Sequence, residues 1–499
     1  MTSGVRTAII GSGLGGLSAA IRIASAGFPV DVYEQNSTAG GKAGVVSGNG
    51  FTFDSGPSLF TMNHVIDELF ASIGLKSKDF IRLHHMKIIC RYFYPDNTIL
   101  DAFSDRQKFS DEILKKTLDK PSTLERYFDY CEKIYSLTGE LFLSRDIHSP
   151  GTFISRNAFK ALLNLKSIDL FRTMHTTNSS FFRDPKVVQL FDRYATYNGS
   201  NPYEAPATLN IIPHVEFNLG SYVIKEGIRK LPSTLKSIAE KKGAKFFFNS
   251  PVEKILLHEK NVLGLRVDGI EIPYDRVISN VDVNTTYKNL LGNGTINPSQ
   301  KKTEPSLSGI VFYWGIEGLN PELEIHNILF STNYEKEFDD IFNKRQIPEE
   351  PTVYIYISSK YNVDDAPPGC ENWFVMINAP FNSGQDWEKE TTHAREIILR
   401  IIKKRTGLDI RSRILFEHVL TPAEIEKGTG SDKGSIYGIS SNNRNAAFLR
   451  HPNKSKKING LFFCGGSVHP GGGIPLVILS GKLASDKVIR ELKHSSNHD

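Results

Sequence analysis

Gly11, Gly13 and Gly16, with Glu34 further on, are the residues whose types and spacing speak most directly of chemistry. In the run Gly11-Ser12-Gly13-Leu14-Gly15-Gly16 the main chain is largely bare of side chains, so its N–H groups are open to an anion. Gly11 permits a tight turn, Gly13 lets the backbone approach a pyrophosphate, and Gly16 lets a helix and a strand pack closely. An acid about twenty residues past such glycines is placed to accept hydrogen bonds from a ribose hydroxyl, which is the part that suits Glu34. A second run, Gly465-Gly466-Ser467-Val468-His469-Pro470-Gly471-Gly472-Gly473-Ile474-Pro475, offers another stretch of bare backbone. Together they suit the binding of a dinucleotide whose phosphates rest on helix N-termini, where the dipole favours negative charge.

Such residues work only if strands and helices hold them, and the flanking pattern supplies these. Thr7 to Ile10 is a short apolar run that reads as a buried strand. The helix opened by the glycines carries Leu14, Leu17, Ile21 and Ala24 on one face. A second strand, Val30 to Tyr33, delivers Glu34 and Gln35. This βαβ context separates the dinucleotide fingerprint from an ordinary glycine-rich turn. Beyond it, Ala39-Gly40-Gly41-Lys42 is either a plain turn or a backbone that passes close to a bound cofactor. Leu461 to Cys464 reads as a strand feeding the second glycine run, and a helix from about Leu476 carries Ile478, Leu479, Leu483 and Val488. An N–H at that joint can face the electron-rich edge of a reduced flavin.

The remaining chain divides by pattern. Residues 60 to 200 read as mainly helical, with Phe153, Phe159, Leu162, Leu163, Leu165, Ile168, Leu170 and Phe171 interleaved with Arg156, Lys160, Lys166 and Arg172. That face either packs into the protein or lies in a bilayer interface. From Ile228 an α/β pattern returns: a helix with Leu231, Leu235 and Ile238, a strand at Phe246 to Phe248, a hairpin over 252–267 and a strand at Arg276 to Ser279. Strands at 310–314, 328–330, 353–357 and 373–377, and a helix from about Trp387 to Arg405 stopped by Gly407, read as a separate sheet. The expected fold is α/β. A discontinuous Rossmann-like cofactor domain (1–60, 215–300 and 455–495) is interleaved with a mainly helical cap (61–214) and a substrate domain with a mixed sheet (301–454).

Composition excludes some functions. The net charge is +5, and no dense basic stripe points to nucleic acid; resting on an anionic membrane surface is compatible with it. Cys90, Cys131, Cys370 and Cys464 lack metal or CxxC spacing and read as buried small residues in a reducing, cytoplasmic setting. The uncharged stretch between Lys457 and Lys482 is interrupted by Gly465, Gly466, Pro470, Gly471, Gly472, Gly473 and Pro475, so it does not read as a membrane span. Nothing in the sequence sets an oligomeric state.

Five motifs in order, Gly11 to Gly16, Gly40-Gly41, Phe53-Asp54-Ser55-Gly56-Pro57, Asn198-Gly199-Ser200-Asn201-Pro202 and Pro470-Gly471-Gly472-Gly473-Ile474-Pro475, make the chain resemble the bacterial-type carotenoid desaturases. These are phytoene-desaturase-like members of the FAD-dependent amine oxidase superfamily, with a fold of the glutathione-reductase type. The resemblance runs from the first strand to the last helix. It implies FAD with its adenosine near Glu34, Gln35 and Val252, and its pyrophosphate on Gly11, Gly13, Leu14, Gly15 and Gly16. Gly40, Gly41, Lys42, Asn280, Gly465 and Gly466 would follow, with the flavin ring near Gly56, Pro57, Ser58, Gly473, Ile474 and Pro475. Lys42 stands where many relatives carry arginine, keeping the charge and losing the fork.

The implied reaction removes two hydrogens from adjacent carbons of a long apolar polyene, a hydride going to the flavin and a proton leaving beside it. His469 is the polar group of the flavin loop, read either as a histidine bonded to loop backbone or as a proton acceptor. The C-terminal loop, with Leu479-Ser480-Gly481 after it, is closer to the hydroxycarotenoid 3,4-desaturases than to the alanine-and-threonine loop of phytoene desaturases. That similarity implies a 1′-hydroxylated carotene such as hydroxy-γ-carotene, reached from a membrane surface. Three other readings stay open: a phytoene desaturase, an oxidase of an amine or another polyene, and a flavin-free prenyl-lipid carrier resembling the GDP-dissociation inhibitors.

Overall fold

Thr7–Ile10 forms strand β1, buried on both faces, and Gly11 turns the chain at φ 92° into helix α1 (Leu14–Ser25). This is a computed structural model that describes residues 5–149, 164–292, 304–442 and 450–496. Strand β2 (Val30–Tyr33) returns parallel to β1, with Thr7 opposite Val30. The chain then leaves this unit and forms strands β3 (Ile88–Phe93) and β4 (Ile99–Phe103). Helix α2 (Lys230–Lys241) and strand β5 (Lys245–Phe247) bring it back. An antiparallel meander over Val252–His258, Asn261–Val267 and Ile270–Pro273 leads into strand β6 (Arg276–Ser279). Strands β7 (Ser308–Glu317), β8 (His326–Leu329), β9 (Val353–Tyr356) and β10 (Cys370–Ala379) come next. Helix α3 (Trp387–Thr406), strand β11 (Ile414–Leu420), strand β12 (Leu461–Phe463) and helix α4 (Ile474–Ser496) complete the framework.

Two sheets carry the molecule. The first is fully parallel, in the order β5-β2-β1-β6-β12. Parallel strands need crossovers, and those helices cover the sheet, which is why its central strands are continuous apolar runs. Helix α1 is buried along almost its whole length and packs on α4 with the backbones touching: a Cβ on Gly481 would lie 2.3 Å from the Gly15 carbonyl. The second sheet is mixed, in the order β11-β7-β10-β9-β8-β3-β4. Its strands alternate. Ile310, Phe312, Trp314, Val353, Ile355, Trp373, Val375 and Ile377 face Ile397, Ile398, Ile401 and Ile402 of α3. The residues between them (Val311, Tyr313, Tyr354, Phe374 and Met376) face the other way, into a cavity.

Where it is described, the 60–200 region is mainly helical, as expected, but strands interrupt it. Helices at Pro121–Gly139 and Pro185–Asp192 do build an aromatic cluster around Tyr127, Phe128 and Phe191. Yet β3 and β4 lie within this stretch, and β3 pairs in parallel with β8, Ile328 opposite Tyr92. The partner strand is more than two hundred residues away, so no local turn announced it. Ahead of the Asn198–Pro202 motif the chain makes a 3-10 turn over Arg193–Asn198 that ends at Gly199 with φ 64°. The stretch of alternating aromatic and basic residues lies outside the described residues from Phe153 to Leu163. Of its described end, Ile168 is buried beside Leu137, Phe171 is 73% exposed, and Arg172 pairs with Asp169 at 2.6 Å.

All four cysteines are unbridged; Cys90, Cys131 and Cys464 are buried, whereas Cys370 is only half-buried. Among the described residues no helix is long and apolar enough to cross a membrane, and no His/Cys/Asp/Glu cluster has the makings of a metal site.

Candidate active site

The two glycine runs meet at one side chain. Asn280 follows β6, its N–H donating to the Ile10 carbonyl at 2.9 Å and its Nδ2 to the Gly11 carbonyl at 3.3 Å. A Cβ on Gly13 would sit 2.8 Å from Asn280 Nδ2, and one on Gly15 2.7 Å from Asn280 Oδ1 and 3.1 Å from the Gly465 nitrogen. A Cβ on Gly465 would lie 3.0 Å from that same Oδ1. Gly16 is required by packing alone, since its Cβ would lie 2.2 Å from the Gly11 carbonyl oxygen. The N-termini of α1 and α4 are therefore brought together around an amide, with bare backbone on each side.

This cradle opens on a cavity of about 1210 Å³. Every residue named above as a cofactor contact lines it except Gly16, and so do His469 and, on the second sheet, Val311, Tyr313, His326, Ile328, Tyr354, Phe374 and Met376. One space thus joins the ends of the parallel strands to the face of the mixed sheet.

Polar groups are unevenly spread around it. Glu34, 5% exposed, takes hydrogen bonds on Oε2 from the Ser12 N–H and hydroxyl, both at 2.8 Å. Its Oε1 takes two more from the Asn36 N–H (3.0 Å) and side-chain amide (2.9 Å), so the acid also ties the glycine turn to the end of β2. Lys42 Nζ donates to the carbonyls of Ser435 (3.0 Å) and Ile436 (2.7 Å). Arg450, 2% exposed, donates through Nη1 to the Tyr437 carbonyl (2.8 Å) and the Gly466 carbonyl (3.0 Å). Its Nη2 reaches Asn198 Oδ1 at 3.1 Å. Burial pushes the lysine down to about 8 and the arginine down to about 10, with the Asp282 carboxylate opposing both shifts. Asp282 itself is pushed up to about 6, by burial first and then by the Asp432 charge. Two cations thus grip the 435–437 backbone beside a buried acid.

His469 Nε2 donates to the Arg145 carbonyl at 2.8 Å, and its main-chain N–H donates to the His451 carbonyl at 3.0 Å. Burial pushes its pKa down to about 4, so the ring is neutral at pH 7. This is the geometry of a tie between the C-terminal loop and the segment after Pro121–Gly139.

On the mixed sheet, two tyrosines pin the Ser55–Ser58 loop over the cavity. Tyr313 Oη donates to the Ser55 carbonyl at 2.6 Å, and Tyr354 Oη lies 2.6 Å from Ser58 Oγ. Asp54 anchors the same loop from behind through Arg229, by a 2.9 Å bond from its N–H and a 3.2 Å ion pair. Farther along, Arg193 and Glu216 form a buried ion pair at 2.9 Å, with Tyr92, Tyr194 and Tyr197 hydroxyls around it. Asp282, Arg450, Tyr313, Tyr354 and the Arg193–Glu216 pair were not singled out from sequence. For the tyrosines the alternation of β7 and β9 was a usable signal; Arg450 sits in no periodic element.

A dinucleotide suits these surroundings. A side chain at Gly13 or Gly15 would fill the cradle, and the Arg450 cation beside Gly466 answers anionic or electron-rich groups. The family model of flavin containing amine oxidoreductases matches residues 14–307. The chain belongs to that family. A 1-hydroxycarotenoid 3,4-desaturase of Flavobacterium sp. is 43% identical over 480 residues, 96% of this chain and 98% of the relative. A 4,4'-diaponeurosporene oxygenase of Staphylococcus haemolyticus is 32% identical, covering 96% of each chain. Among solved structures, the cyclohexylamine oxidase of Brevibacterium oxydans aligns over 98% of this chain and 100% of its own with a TM-score of 0.62 at 16% identity. A redesigned putrescine oxidase aligns over 98% and 99% with a TM-score of 0.65 at 13% identity. This member of the flavin containing amine oxidoreductases is an FAD-dependent oxidoreductase with carotenoid desaturases and oxygenases among its relatives.

Proposed function

We propose that this flavoprotein is a carotenoid desaturase that introduces the 3′,4′ double bond into a 1′-hydroxylated carotene such as hydroxy-γ-carotene. The observation that carries the reading is the shared cavity, in which the glycine cradle meets an apolar sheet face of Val311, Ile328, Phe374 and Met376. The similarity to the Flavobacterium 1-hydroxycarotenoid 3,4-desaturase supports the choice of substrate.

When bound, FAD supplies the two-electron acceptor that a hydrocarbon desaturation requires. The chain's own residues bind and align. Gly13, Leu14 and Gly15 would hold the pyrophosphate by backbone N–H groups beside the turn at Gly11, whose own N–H donates to the Tyr33 carbonyl at 2.7 Å, and Glu34, Gln35 and Val252 would surround the adenosine, with a ribose hydroxyl on Glu34. Lys42 and Arg450 hold the 435–437 backbone against the cofactor. Gly56, Pro57, Ser58, Ile474 and Pro475 bracket the ring. The sheet face aligns the polyene and keeps water out, and delocalisation along the polyene lowers the need for a protein base. His469 positions the loop. In this reading 5–60, 215–292 and 455–495 form the cofactor part, and 301–454 with β3 and β4 the substrate part. The hydrocarbon enters from a membrane surface on which the exposed Phe171 rests.

The test supplies hydroxy-γ-carotene and phytoene separately to the FAD-loaded protein and reads product mass and spectrum. Loss of two hydrogens with a red shift from hydroxy-γ-carotene, and no conversion of phytoene, is the expected result. Conversion of phytoene alone overturns it, and a product heavier by oxygen assigns the chain with the diaponeurosporene oxygenases that stand at 32% identity. Flotation with neutral and anionic vesicles tests the docking; protein left in the lower fraction with both refutes it.

A further inference from the structure

One buried charge beside the cavity has no counter-charge of its own. Among the described residues four arginines are buried: Arg22, Arg193, Arg405 and Arg450. The first three each meet a carboxylate, Arg22 with Glu68 at 2.6 Å, Arg193 with Glu216 at 2.9 Å and Arg405 with Glu350 at 2.8 Å. Arg450, at 2% the least exposed of the four, forms no ion pair among the described residues. Its guanidinium is solvated by oxygens without a full charge: the Tyr437, Ile439 and Gly466 carbonyls and Asn198 Oδ1, at 2.8 to 3.3 Å. Asp282 acts on it only at a distance, and acts on Lys42 as well.

A cation buried without an anion is costly, so the site is incomplete until something negative arrives. The carbonyls hold the N–H groups in place but leave the charge uncancelled. With a pKa lowered only to about 10, the guanidinium keeps its proton at pH 7. Its place in the loop says which anion it serves. It bonds Gly466 near one end of the C-terminal glycine run, and a Cβ on Gly471 would lie 3.2 Å from its Nε farther along. The same run leads into Gly473, Ile474 and Pro475, assigned above to the flavin ring. The pyrophosphate falls instead to Gly13, Gly15 and the N-terminus of α1.

We propose that Arg450 is the fixed positive charge that stabilises the reduced, anionic flavin and so raises the reduction potential of bound FAD, with Asn198 positioning its guanidinium. This goes beyond the choice of substrate: it rests on the flavin reading and is the same whichever carotene is taken. In desaturation the polyene gives a hydride to the flavin and a proton leaves the neighbouring carbon as the C=C bond forms. The flavin gains two electrons, one hydrogen and one negative charge. Arg450 acts on that charge through space, because a cation in a water-poor site is felt over several ångströms. A hydrocarbon is a weak reductant, and a higher flavin potential pulls the transfer forward. The Asn198–Pro202 motif thereby has a chemical task, carried by one amide oxygen.

The experiment measures the midpoint potential of bound FAD by reductive titration against indicator dyes at pH 7, and FAD affinity by flavin fluorescence, with no carotene present. Arg450→Gln should shift the balance toward oxidised flavin roughly ten- to hundredfold, a fall of about 30–60 mV for a two-electron couple. Arg450→Lys, which keeps the charge, should recover most of that fall. Where Arg450→Gln fails to hold FAD, Asn198→Asp decides. It sets a carboxylate against Nη2 with the guanidinium still in place, and the potential should fall in the same sense. An unchanged potential in Arg450→Gln or in Asn198→Asp overturns the proposal, and weaker FAD binding alongside it gives the cation to the pyrophosphate. An equal fall in Arg450→Lys, or loss of FAD from all three variants, makes Arg450 a clamp on the loop and overturns the proposal too. A wild type that takes up no FAD overturns the flavin reading itself.

Discussion

The two sheets do different work with different parts of the chain. The parallel sheet presents its strand ends, and what meets the cavity there is largely main chain: the turn after β1, the residue after β6 and the run after β12. The mixed sheet presents a face, and what meets the cavity there is side chains from alternate positions of β7, β8, β9 and β10. A backbone site tolerates little variation, because a Cβ alone is enough to spoil it. A side-chain face can be rewritten residue by residue while α3 holds the other side. In the proposed function, cofactor binding and substrate choice are thus encoded in separate places, by separate means.

That contrast can be broken at four points. Gly16→Val should have the largest effect: the new Cβ would lie 2.2 Å from a backbone oxygen that no rotamer can move. Purified protein should lack flavin absorbance even after FAD is added, and a yellow variant would refute the backbone account. Next, Trp373 and Phe374 are neighbours on opposite faces of β10. Trp373→Ala, on the face covered by α3, should cost about 3–5 kcal/mol in urea unfolding. Phe374→Leu, on the cavity face, should cost less than about 1.5 kcal/mol while changing the relative rates with different carotenes. Equal costs would mean that the faces have been misassigned.

Tyr313→Phe should come third. It removes the bond to the Ser55 carbonyl and should cost about 1 kcal/mol, retaining FAD but lowering turnover through a looser 55–58 loop. Unchanged turnover would show that the loop needs no pin from the sheet. The fourth point concerns pH. Burial lowers the His469 pKa from 6.5 to about 4, so between these values the unfolded chain binds a proton that the folded chain refuses. Stability therefore falls as pH drops from 6.5 toward 4 and this loss levels off below that. His469→Gln, whose amide still reaches the Arg145 carbonyl, should flatten this limb by up to about 1.4 kcal/mol per pH unit. The limb will not vanish, because buried His326 and His451 act in the same sense.

Sequence made the backbone site legible because its signals are local. Glycines, a short apolar run and an acid on the next strand lie within thirty residues of each other, and each has its own stereochemical reason. The side-chain site was legible only in outline. β7 and β10 stood out as strands, but which face of each looks inward depends on pairing, as does the meeting of Tyr354 with His326. β3 was hidden inside a helical stretch because its partner β8 lies far along the chain. Arg450 was missed because its position depends on the carbonyls of Tyr437, Ile439 and Gly466, which lie in two irregular segments that no periodicity marks. Lys42 was found from its glycines, although its carbonyl partners at 435 and 436 were not.

The amide of Asn280 has a consequence for the order in which the molecule is made. It touches Gly11, Gly13 and Gly15 from one end of the chain and Gly465 from the other, so the cradle exists only when both ends have arrived. During synthesis, the first βαβ unit emerges early but lacks its counterpart until β12 and α4 follow. FAD capture then waits for β12 and α4, and a nascent chain stopped before Leu461 should hold no flavin however long it waits.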